Sequence, residues 1–521
     1  MHWAYRIATE LIEKYPDKDT YVCASGISPS GSVHIGNFRE VVTTYLVAKA
    51  LNNLGKKTKF IFSWDDYDRF RKVPKNVNES FEQYIGMPYS DIPDPTGCHA
   101  SYAEHFEKEF EKSLGKFGID VEFIYQNKEY RTGRYNKHIL HALKHRKKIY
   151  DILMKFKTHE PSEDERNNFY PIALYCENCE KDTTKISKFD EVNETIEYIC
   201  KCGNQNVLPV MEARNIKLNW KIDWPMRWMV EDVVFEPGGR DHSSETGSYN
   251  VSKEIAREIF DYEAPHYAAY DFIGIKGDNK KMSSSSGNII TPSELLKIYL
   301  PEIILFMFAK YKPNAAFNIG LDEDVIRNYS EYERFQASYL NHSLKDEDIC
   351  RSIELSGIQS NSNSIPKFNQ VAGILPLLNF NIESLQDVLC KNGEEYSLEN
   401  ISIIGNRVEY WIKNWYPQKA ISVNNNKDME YYNSLNETQK NWLEQLCSII
   451  RTNSNLSDDQ MMENLYAICH NEDKKIMRAN QKLLFSMVYK LVLNSTNGPR
   501  LPILIKTIGS NKLLSLLDFN K

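Results

Sequence analysis

The sequence predicts an α/β domain that is split by an insertion holding a cysteine-rich ribbon and is followed by an all-α half. Three observations support this fold class. A strand, a turn of small residues and a helix follow one another at 20–54, and a glycine-bounded loop rich in lysine and serine lies far downstream at 276–288. Two close pairs of cysteines lie between them, and apolar residues recur at helical spacing from Thr291 onward.

Length and composition exclude several classes of protein. At 521 residues the chain is too long for one core, so about two to four domains are expected. The net charge of −7 does not favour a general nucleic-acid binder, although a local basic surface can still bind RNA. Residues 1–19 do not read as a secretory signal, and the longest apolar runs, such as 303–309, are too short to cross a membrane. Ten cysteines, four of them clustered, indicate metal binding in a reducing compartment, so a cytoplasmic protein is expected.

The strand, turn and helix near the amino end predict an anion site. Tyr21–Ala24 form an apolar strand, and a helix opens at His34 and runs to about Leu54. Free backbone N–H groups and the positive end of the helix dipole meet there, and His34 can donate a hydrogen bond to a phosphate oxygen. Gly36 leaves room for an adenine ring. The alternative is an ordinary strand–turn–helix with a structural histidine.

A second motif favours the nucleotide-binding interpretation. Residues 280–287, KKMSSSSG, follow a predicted strand at Asp271–Ile275. Lysines and hydroxyls on such a loop can close over a triphosphate and neutralise charge that develops on a leaving pyrophosphate. The wide separation of the two motifs fits a nucleotide-binding sheet that an insertion divides.

Acidic residues follow the second predicted strand, at 58–64. Asp65, Asp66 and Asp68 stand directly after it. Because open α/β sheets bind ligands at the carboxyl ends of their strands, these acids are candidate ligand groups. A solvated turn is the alternative.

The chain returns to the sheet in a tryptophan-rich run. Trp220, Trp224 and Trp228 recur every four residues, which is typical of a packed helix face. The run ends in a loop at 237–242 where backbone can approach a ligand, and a helix from Glu245 onward would offer a second anion-friendly terminus.

Four cysteines predict a zinc ribbon: Cys176, Cys179, Cys200 and Cys202. The residues between the pairs, 183–199, alternate as a hairpin would. Four thiolates leave no coordination position for water, so a structural role is expected.

Cys98, His99 and His105 lie close together at the start of a predicted helix, 99–115. They form a candidate second metal site. The alternative is that they are ordinary packing or surface residues.

A basic segment is the best candidate for contact with an RNA backbone. Residues 128–148 carry eight lysines or arginines and a single acid. A solvated surface is the alternative, but in an acidic chain this segment can bind phosphates. The residues we expect to do so are Lys144, Arg146, Lys147 and Lys148.

The strongest motifs together resemble one family, the class I lysyl-tRNA synthetases. The similar blocks are ASGISPSGSVHIGN, FSWDDYDRFRKVP, IDWPMRW, FEPGGRDHSS and KMSSSSGN. Within them, His34–Asn37 resembles the HIGH element of class I aminoacyl-tRNA synthetases, and KKMSSSSG resembles their KMSKS loop. The resemblance is dense over residues 20–290 and looser over the helical half.

The resemblance implies a Rossmann-type catalytic domain with an inserted domain and an all-α anticodon-binding domain. The expected order is 1–73, first half of the catalytic domain; 74–214, inserted acceptor-binding domain with the zinc ribbon; 215–290, second half with the KMSKS-like loop; 291–355, helical connecting domain; 356–521, α-helical anticodon-binding domain.

The resemblance also implies the site residues. His34, Asn37 and Lys281 are expected to be catalytic. The expected ATP-binding residues are Pro29, Ser30, His34, Gly36, Asn37, Lys280, Lys281, Ser283, Ser284 and Ser285. The expected lysine-binding residues are Gly26, Ser28, Asp65, Trp220 and His242, with Asp65 on the α-ammonium and Trp220 along the lysine stem.

Two departures from the family pattern affect these expectations. Asn37 replaces the final histidine of HIGH, and Ser284 stands where the family has a second lysine. Lys280 or Lys281 must then act on the phosphates, and the sequence leaves open which one does. It also leaves open which carboxylate pairs with the lysine side-chain ammonium.

The implied reaction joins L-lysine to tRNA(Lys) through lysyl-adenylate, with ATP as co-substrate, Mg²⁺ accompanying ATP, and a structural Zn²⁺. A monomer without membrane association is expected. The nearest alternative is a glutamyl-tRNA synthetase, whose family places an arginine at the position of Ala24; its absence favours a cationic substrate. A non-catalytic tRNA-binding relative is the second alternative, which the near-complete His34 and Lys281 elements disfavour.

Overall fold

The computed structural model describes residues 1–74, 77–157, 160–277, 289–357, 365–452 and 457–520. The chain divides into two compact units. The first comprises Met1–Leu296, Leu300–Ile319 and Phe335–Ile358, and the second comprises Lys297–Tyr299, Gly320–Arg334 and Gln359–Lys521.

The first unit begins with alternating helices and strands. In chain order these are α1 (Trp3–Lys14), β1 (Tyr21–Ile27), α2 (Ile35–Asn53), β2 (Thr58–Trp64), α3 (Tyr102–Lys116) and β3 (Glu122–Tyr125). Five consecutive residues of β1 are buried, as expected of a strand with helices on both faces of its sheet. The strand predicted at 58–64 is confirmed as β2.

Short helices and strands follow β3. They are α4 (Gln126–Arg131), α5 (Asn136–Lys144), α6 (Arg146–Met154), α7 (Glu163–Asn168), β4 (Ile172–Leu174), β5 (Thr184–Asp190), β6 (Thr195–Cys200), β7 (Gln205–Pro209) and β8 (Ile216–Leu218). Strands β5, β6 and β7 form an antiparallel sheet, and β4 pairs with β8. The hairpin predicted at 183–199 is confirmed as β5 and β6.

The chain then returns to the sheet and continues through α8 (Trp220–Glu231), β9 (Val233–Phe235), β10 (Gly238–Gly239), α9 (Ser248–Phe260), β11 (Ala269–Tyr270), β12 (Ile273–Ile275), α10 (Pro292–Leu295), α11 (Pro301–Lys310), β13 (Phe317–Ile319), α12 (Asp324–Leu340) and α13 (Glu347–Ser356). The strand expected from Asp271 begins only at Ile273. The helix expected from Glu245 begins at Ser248, because a 3₁₀ turn at Arg240–Ser243 precedes it.

Four parallel strands form the central sheet in the order β3–β2–β1–β9. Strand β9 pairs with β1 although a long segment of chain separates them, so that segment is an insertion into one sheet. The order corresponds to half of a doubly wound nucleotide-binding sheet. The carboxyl ends of β1, β2 and β9 bring Gly26, Asp65 and Glu236 to the same edge.

The second unit is helical over its long carboxyl-terminal part. Its helices are α14 (Phe368–Ile374), α15 (Ile382–Lys391), α16 (Leu398–Asn414), α17 (Met429–Ser434), α18 (Glu437–Thr452), α19 (Asp458–Ala467), α20 (Lys474–Leu493), α21 (Leu501–Ile508) and α22 (Ser510–Leu517). Leu446, Leu484 and Leu513, on three different helices, share one apolar core. None of the helices in the described ranges is long and apolar enough to span a membrane.

Candidate active site

His34 caps the start of α2 with its own ring. Its Nδ1 accepts hydrogen bonds from the backbone N–H groups of Gly36, at 3.1 Å, and Asn37, at 3.3 Å. A ring nitrogen that accepts carries no proton, so the proton of the neutral imidazole lies on Nε2. Cap formation therefore fixes the tautomer that can donate to a phosphate oxygen.

The backbone at this helix terminus differs from the expectation of free N–H groups. Ile35 donates to the carbonyl of Ile290 at 2.9 Å, and the next two amides donate to His34. A Cβ on Gly36 would lie 2.8 Å from Cε1 of His34, so the glycine also makes room for that ring. An anion at this end of α2 would meet side chains, because these amides already have acceptors.

Neighbouring helices and turns hold the loop between β1 and α2. The hydroxyl of Tyr102 donates to the carbonyl of Ser30 at 3.0 Å, and Pro29 before it is buried. Ser28 Oγ lies 3.4 Å from a carboxylate oxygen of Asp68. The expected phosphate-binding residues of the second motif, Lys280, Lys281, Ser283, Ser284 and Ser285, lie outside the described residues.

A cavity opens at the carboxyl ends of β1, β2 and β9. It is lined by four of the five residues expected to bind the amino acid, Gly26, Asp65, Trp220 and His242. Ser28 is the fifth, and it does not line this cavity. The strand ends and the start of α8 therefore bring together residues that lie far apart in the sequence.

Aromatic side chains of α8 form one wall of the cavity. The rings of Trp220 and Trp224 stack with centroids 4.9 Å apart, and Trp228 packs behind Trp224. The ring of His242 meets the edge of Trp224 at 5.9 Å, and its Nδ1 lies 2.8 Å from Ser248 Oγ. Burial lowers the pKa of His242, so this wall is uncharged at neutral pH.

Glu40 and Glu236, two of the three glutamates that line the same cavity, were missed by the sequence analysis. Glu40, on α2, accepts hydrogen bonds from Gly26 N–H at 3.1 Å and from the Tyr270 hydroxyl at 2.8 Å. Glu236, after β9, accepts one from Trp228 Nε1 at 2.6 Å. Removal from water raises the pKa of each glutamate to about 7. The cavity thus holds two carboxyl groups that ionise more readily once a cation lies beside them.

Asp65 lies beside an arginine that the sequence analysis also missed. Arg227 Nη1 donates to Asp65 at 2.8 Å, and Nη2 donates to Asp223 at 2.9 Å. Lys217, the middle residue of β8, forms an ion pair with Asp68. The acid-rich turn is therefore partly buried and paired, and it is not the solvated turn of the alternative interpretation.

The first 359 residues match the family model described as tRNA synthetases class I (K). The chain belongs to this family. The parallel sheet and the helical carboxyl-terminal region described above are those of the class I tRNA synthetase fold.

Curated relatives match the chain over nearly its whole length. A protein of Borreliella burgdorferi named lysine--tRNA ligase is 38% identical over 525 residues, which cover 98% of each chain. The proteins of that name from Pyrococcus horikoshii and Treponema pallidum are 33% and 34% identical, each over 99% of this chain and 99% and 98% of their own. A solved glutamate tRNA ligase from Elizabethkingia meningosepticum is 14% identical with a TM-score of 0.45 over 96% of this chain and 99% of its own, too distant to decide the substrate.

The insertion of this class I (K) synthetase brings its four clustered cysteines together. Cys176 Sγ lies 3.7 Å from Cys202 Sγ, and Cys179 Sγ lies 3.6 Å from Cys200 Sγ. All four sulfur atoms lie within 4.8 Å of one another. Tetrahedral zinc with bonds of about 2.3 Å places its sulfur ligands about 3.8 Å apart, so this donor set suits zinc.

A second group of ligand atoms forms around Cys98, His99 and His105, and Asp94 completes it. His105 Nδ1 lies 3.3 Å from one carboxylate oxygen of Asp94 and 3.4 Å from Cys98 Sγ. His99 Nδ1 lies 3.6 Å from the other oxygen. Asp94 stands four residues before Cys98, and this spacing is the sequence signal that could have identified it. In the structure, the backbone N–H of Cys98 donates to the Asp94 carboxylate across a turn.

The basic segment of this synthetase is largely paired. Lys144 pairs with Glu194 at 2.7 Å, and Lys148 pairs with Glu258 at 3.1 Å. Arg146 Nη1 donates to the carbonyls of Asn167, at 2.7 Å, and Phe169, at 3.1 Å. Lys147 is exposed. Arg146 therefore has a local structural role, and the predicted phosphate contacts at this segment stay a prediction.

Proposed function

We propose that the chain activates L-lysine with ATP and transfers the lysyl group to tRNA(Lys), as a lysine–tRNA ligase. The observation that carries this proposal is the charge of the cavity. Among the described residues, three carboxylates, Glu40, Asp65 and Glu236, line it together with Glu231, which pairs with Arg134, and one arginine, Arg227, which already pairs with two aspartates. A ligand with two ammonium groups and one carboxylate suits this lining, and lysine has that chemistry.

The two ends of lysine would lie against different carboxylates. Asp65 would hold the α-ammonium, as expected from the family resemblance. Glu40 and Glu236 would face the side-chain ammonium. Burial favours the neutral form of both glutamates, and a cation that enters the cavity would favour their ionised form. Trp220 would lie along the apolar stem, where a ring face also attracts the ammonium.

A glutamate substrate fits this cavity poorly. Its side-chain carboxylate would meet Glu40 and Glu236, and like charges at close range are unfavourable. Ala24 lines the cavity at the position where glutamate enzymes are expected to place an arginine. The non-catalytic alternative is disfavoured because His34 is held in the tautomer that donates through Nε2.

In the proposed mechanism, the lysine carboxylate attacks the α-phosphorus of ATP and pyrophosphate leaves. His34 would donate from Nε2 to a phosphate oxygen, and Asn37 with Lys280 or Lys281 would stabilise the charge that develops there. Mg²⁺ would accompany ATP and neutralise part of its charge. A ribose hydroxyl at the 3′ end of tRNA(Lys) would then take the lysyl group from the adenylate.

Both ligand clusters of the insertion are proposed to hold structural zinc. Four cysteines form the first, and Asp94, Cys98, His99 and His105 form the second. Neither leaves a position for a reacting water when all four protein ligands bind, so the metals would stabilise the insertion. Elemental analysis of protein prepared without chelator should find about two zinc ions per chain. Cys176→Ser should lower that value by one, and an unchanged zinc content would contradict the first site.

Binding of tRNA is proposed to use both units of a cytoplasmic monomer. The insertion, expected at 74–214, would contact the acceptor end, with Lys147 and the residues beside it near phosphates. The helical region expected at 356–521 would read the anticodon. It offers helix faces distant in sequence from the cavity, as recognition of a remote part of tRNA requires.

The test is a charging assay with tRNA(Lys) and tRNA(Glu), each offered lysine or glutamate. We expect lysyl-tRNA(Lys) to form and the other three pairs to stay uncharged. Formation of glutamyl-tRNA(Glu) without lysyl-tRNA(Lys) would overturn the proposal in favour of the glutamate enzyme. Absence of any charging, with tRNA still bound, would favour the non-catalytic relative.

A further inference from the structure

Five charged side chains form a cluster where the turn after β2 meets β8 and the first turns of α8. Arg227 pairs with Asp65 at 2.8 Å and with Asp223 at 2.9 Å. Lys217 pairs with Asp68 and lies 4.0 Å from Asp223. Four of these side chains are at most 9% exposed, and Asp68 is 27% exposed. We call these five residues the acid–base cluster.

The acid–base cluster lacks one positive charge. Its three aspartates and two cations carry one net negative charge when all are ionised, and such a charge is costly away from water. Removal from water raises the pKa of Asp65 above its ordinary value, whereas Lys217 lowers the pKa of Asp68 in spite of its burial.

Among the described residues, the groups that surround the cluster do not supply the missing charge. From the turn and from the segment after β9, Asp66 and Glu236 add further carboxyl groups. From α4, the Tyr130 hydroxyl donates to Asp223, and Tyr135 nearby is a buried, neutral phenol. Arg71 faces Asp68 but is exposed, so water screens its charge.

A second observation indicates that the cluster meets a ligand. Asp65 and Arg227 line the cavity, whereas Asp68, Lys217 and Asp223 lie behind them. The buried Nε of Arg227 has no hydrogen-bond acceptor in the described part of the chain. The cluster is thus incomplete in charge, and Asp65 and Arg227 are its members that line the cavity. The unpaired Nε is a donor, which a ligand carboxylate and not an ammonium would satisfy.

We propose that Asp223, Lys217 and Arg227 are positioning residues for the amino acid, and that the α-ammonium of the substrate supplies the positive charge that the acid–base cluster lacks. This inference rests on the proposed function and deepens it. When the ammonium enters beside Asp65, it lowers the pKa of that carboxyl group, and any proton held there passes to solvent. Asp223 and Lys217 act through Asp65 and do not touch the substrate.

The test is calorimetric titration of the whole chain with two ligands in buffers of different ionisation enthalpy. L-Lysine carries the α-ammonium, and 6-aminohexanoate lacks it but keeps the carboxylate and the terminal ammonium. Any proton that the terminal ammonium displaces from Glu40 or Glu236 is common to both ligands. We expect lysine to release more protons than 6-aminohexanoate at mildly acidic and neutral pH.

Charge-changing variants of buried residues isolate the cluster from the rest of the cavity. Asp223→Asn makes the cluster neutral, so the extra proton release should vanish and lysine affinity should fall by about 10- to 100-fold. Affinity for 6-aminohexanoate should change by less than about threefold, because it does not use the cluster. Tyr130→Phe is the matched control: it removes a hydrogen bond to Asp223 without changing charge, and the extra release should persist.

Lys217→Gln changes the charge in the opposite direction and should increase the extra proton release. If Asp223→Asn does not fold, this variant decides the question. Equal proton release with both ligands, or an equal loss of affinity for both in Asp223→Asn, would overturn the inference. If the protein binds a different amino acid in place of lysine, the proposed function is overturned but the inference about the cluster is not. The same titration is then carried out with that amino acid and with its analogue that lacks the α-ammonium.

Discussion

The two units of the chain differ in what they bury. The first unit buries charged and polar side chains around its sheet, among them Asp65, Asp223 and Arg227. Among the described residues of the second unit, Asp518 is the single polar or charged side chain that is buried. Its helices instead share a core of leucine, isoleucine, valine and methionine.

This difference indicates that the first unit carries the chemistry and that the second unit carries a stable apolar core. Buried charges cost free energy unless a partner or a ligand compensates them, so the first unit gives up stability for a preformed site. An apolar core of well-capped helices gains stability and leaves the outer faces for recognition. Substitutions in the first unit should therefore change the activation of lysine, and core substitutions in the second should change its stability.

The largest expected effect is on His34. His34→Ala should slow lysyl-adenylate formation by roughly 10²- to 10³-fold, because one preorganised donor at the developing charge is lost. Adenylate formation is measured as ATP–pyrophosphate exchange with tRNA(Lys) present. The alanine also removes the cap of α2, so His34→Asn is the control: asparagine can cap the helix but lacks the Nε2 donor. Recovery of the exchange rate in the asparagine variant would mean that His34 acts only as a cap.

A smaller effect is expected at the two cavity glutamates. Glu40→Gln and Glu236→Gln should each raise the lysine KM by about 10- to 100-fold, because each removes a charge-assisted contact from the side-chain ammonium. The matched control is Glu231→Gln, since Glu231 also lines the cavity but pairs with Arg134 at 2.6 Å. Equal effects of all three variants on KM would show that Glu40 and Glu236 act only through the net charge of the cavity and not by contact with the side-chain ammonium.

The same glutamates predict how lysine binding depends on pH. Their raised pKa of about 7 means that they take up protons as the pH falls below neutrality. Lysine affinity should therefore be constant above about pH 8, where both glutamates are ionised. It should weaken as the pH falls from about 8 to 6. Glu236→Gln should flatten this dependence in a binding titration. A lysine affinity that is constant across this range would show that the two carboxyl groups do not face the ammonium.

The smallest expected effect on activation lies in the second unit. Leu484→Ala removes a fully buried side chain of α20 and should lower the free energy of unfolding by about 2–5 kcal/mol. Leu483→Ala, on the same helix but 41% exposed, is the control and should change it by less than about 1 kcal/mol. Exchange with lysine at saturating tRNA should be unchanged in both variants at low temperature. A loss of exchange in Leu484→Ala under these conditions would contradict the separation of roles.

Local sequence patterns predicted the helices and strands better than they predicted which side chains contact one another in the site. The strand at Thr58–Trp64 and the ribbon hairpin follow from alternation and apolar runs, which depend on near neighbours. The helix at Lys474–Leu493 follows from helical spacing in the same way. These features need no knowledge of distant contacts.

The missed residues depend on contacts that sequence spacing does not encode. Arg227 lies 162 positions from Asp65, and its ion pair forms only when α8 packs behind the end of β2. Glu40 follows the helical spacing of α2 and reads as an ordinary exposed position, yet it turns into the cavity below Gly26. The His34 ring satisfies the helix terminus itself, so the expectation of free backbone N–H groups there was wrong.

The central claim is that the first unit activates lysine. The most direct measurement is ATP–pyrophosphate exchange on the unmodified protein with lysine, ornithine, arginine and glutamate, each with tRNA present. Lysine should give the highest rate, ornithine and arginine should give lower rates because their stems differ in length or in the form of the cation, and glutamate should give none. Exchange with glutamate above that with lysine would contradict the account.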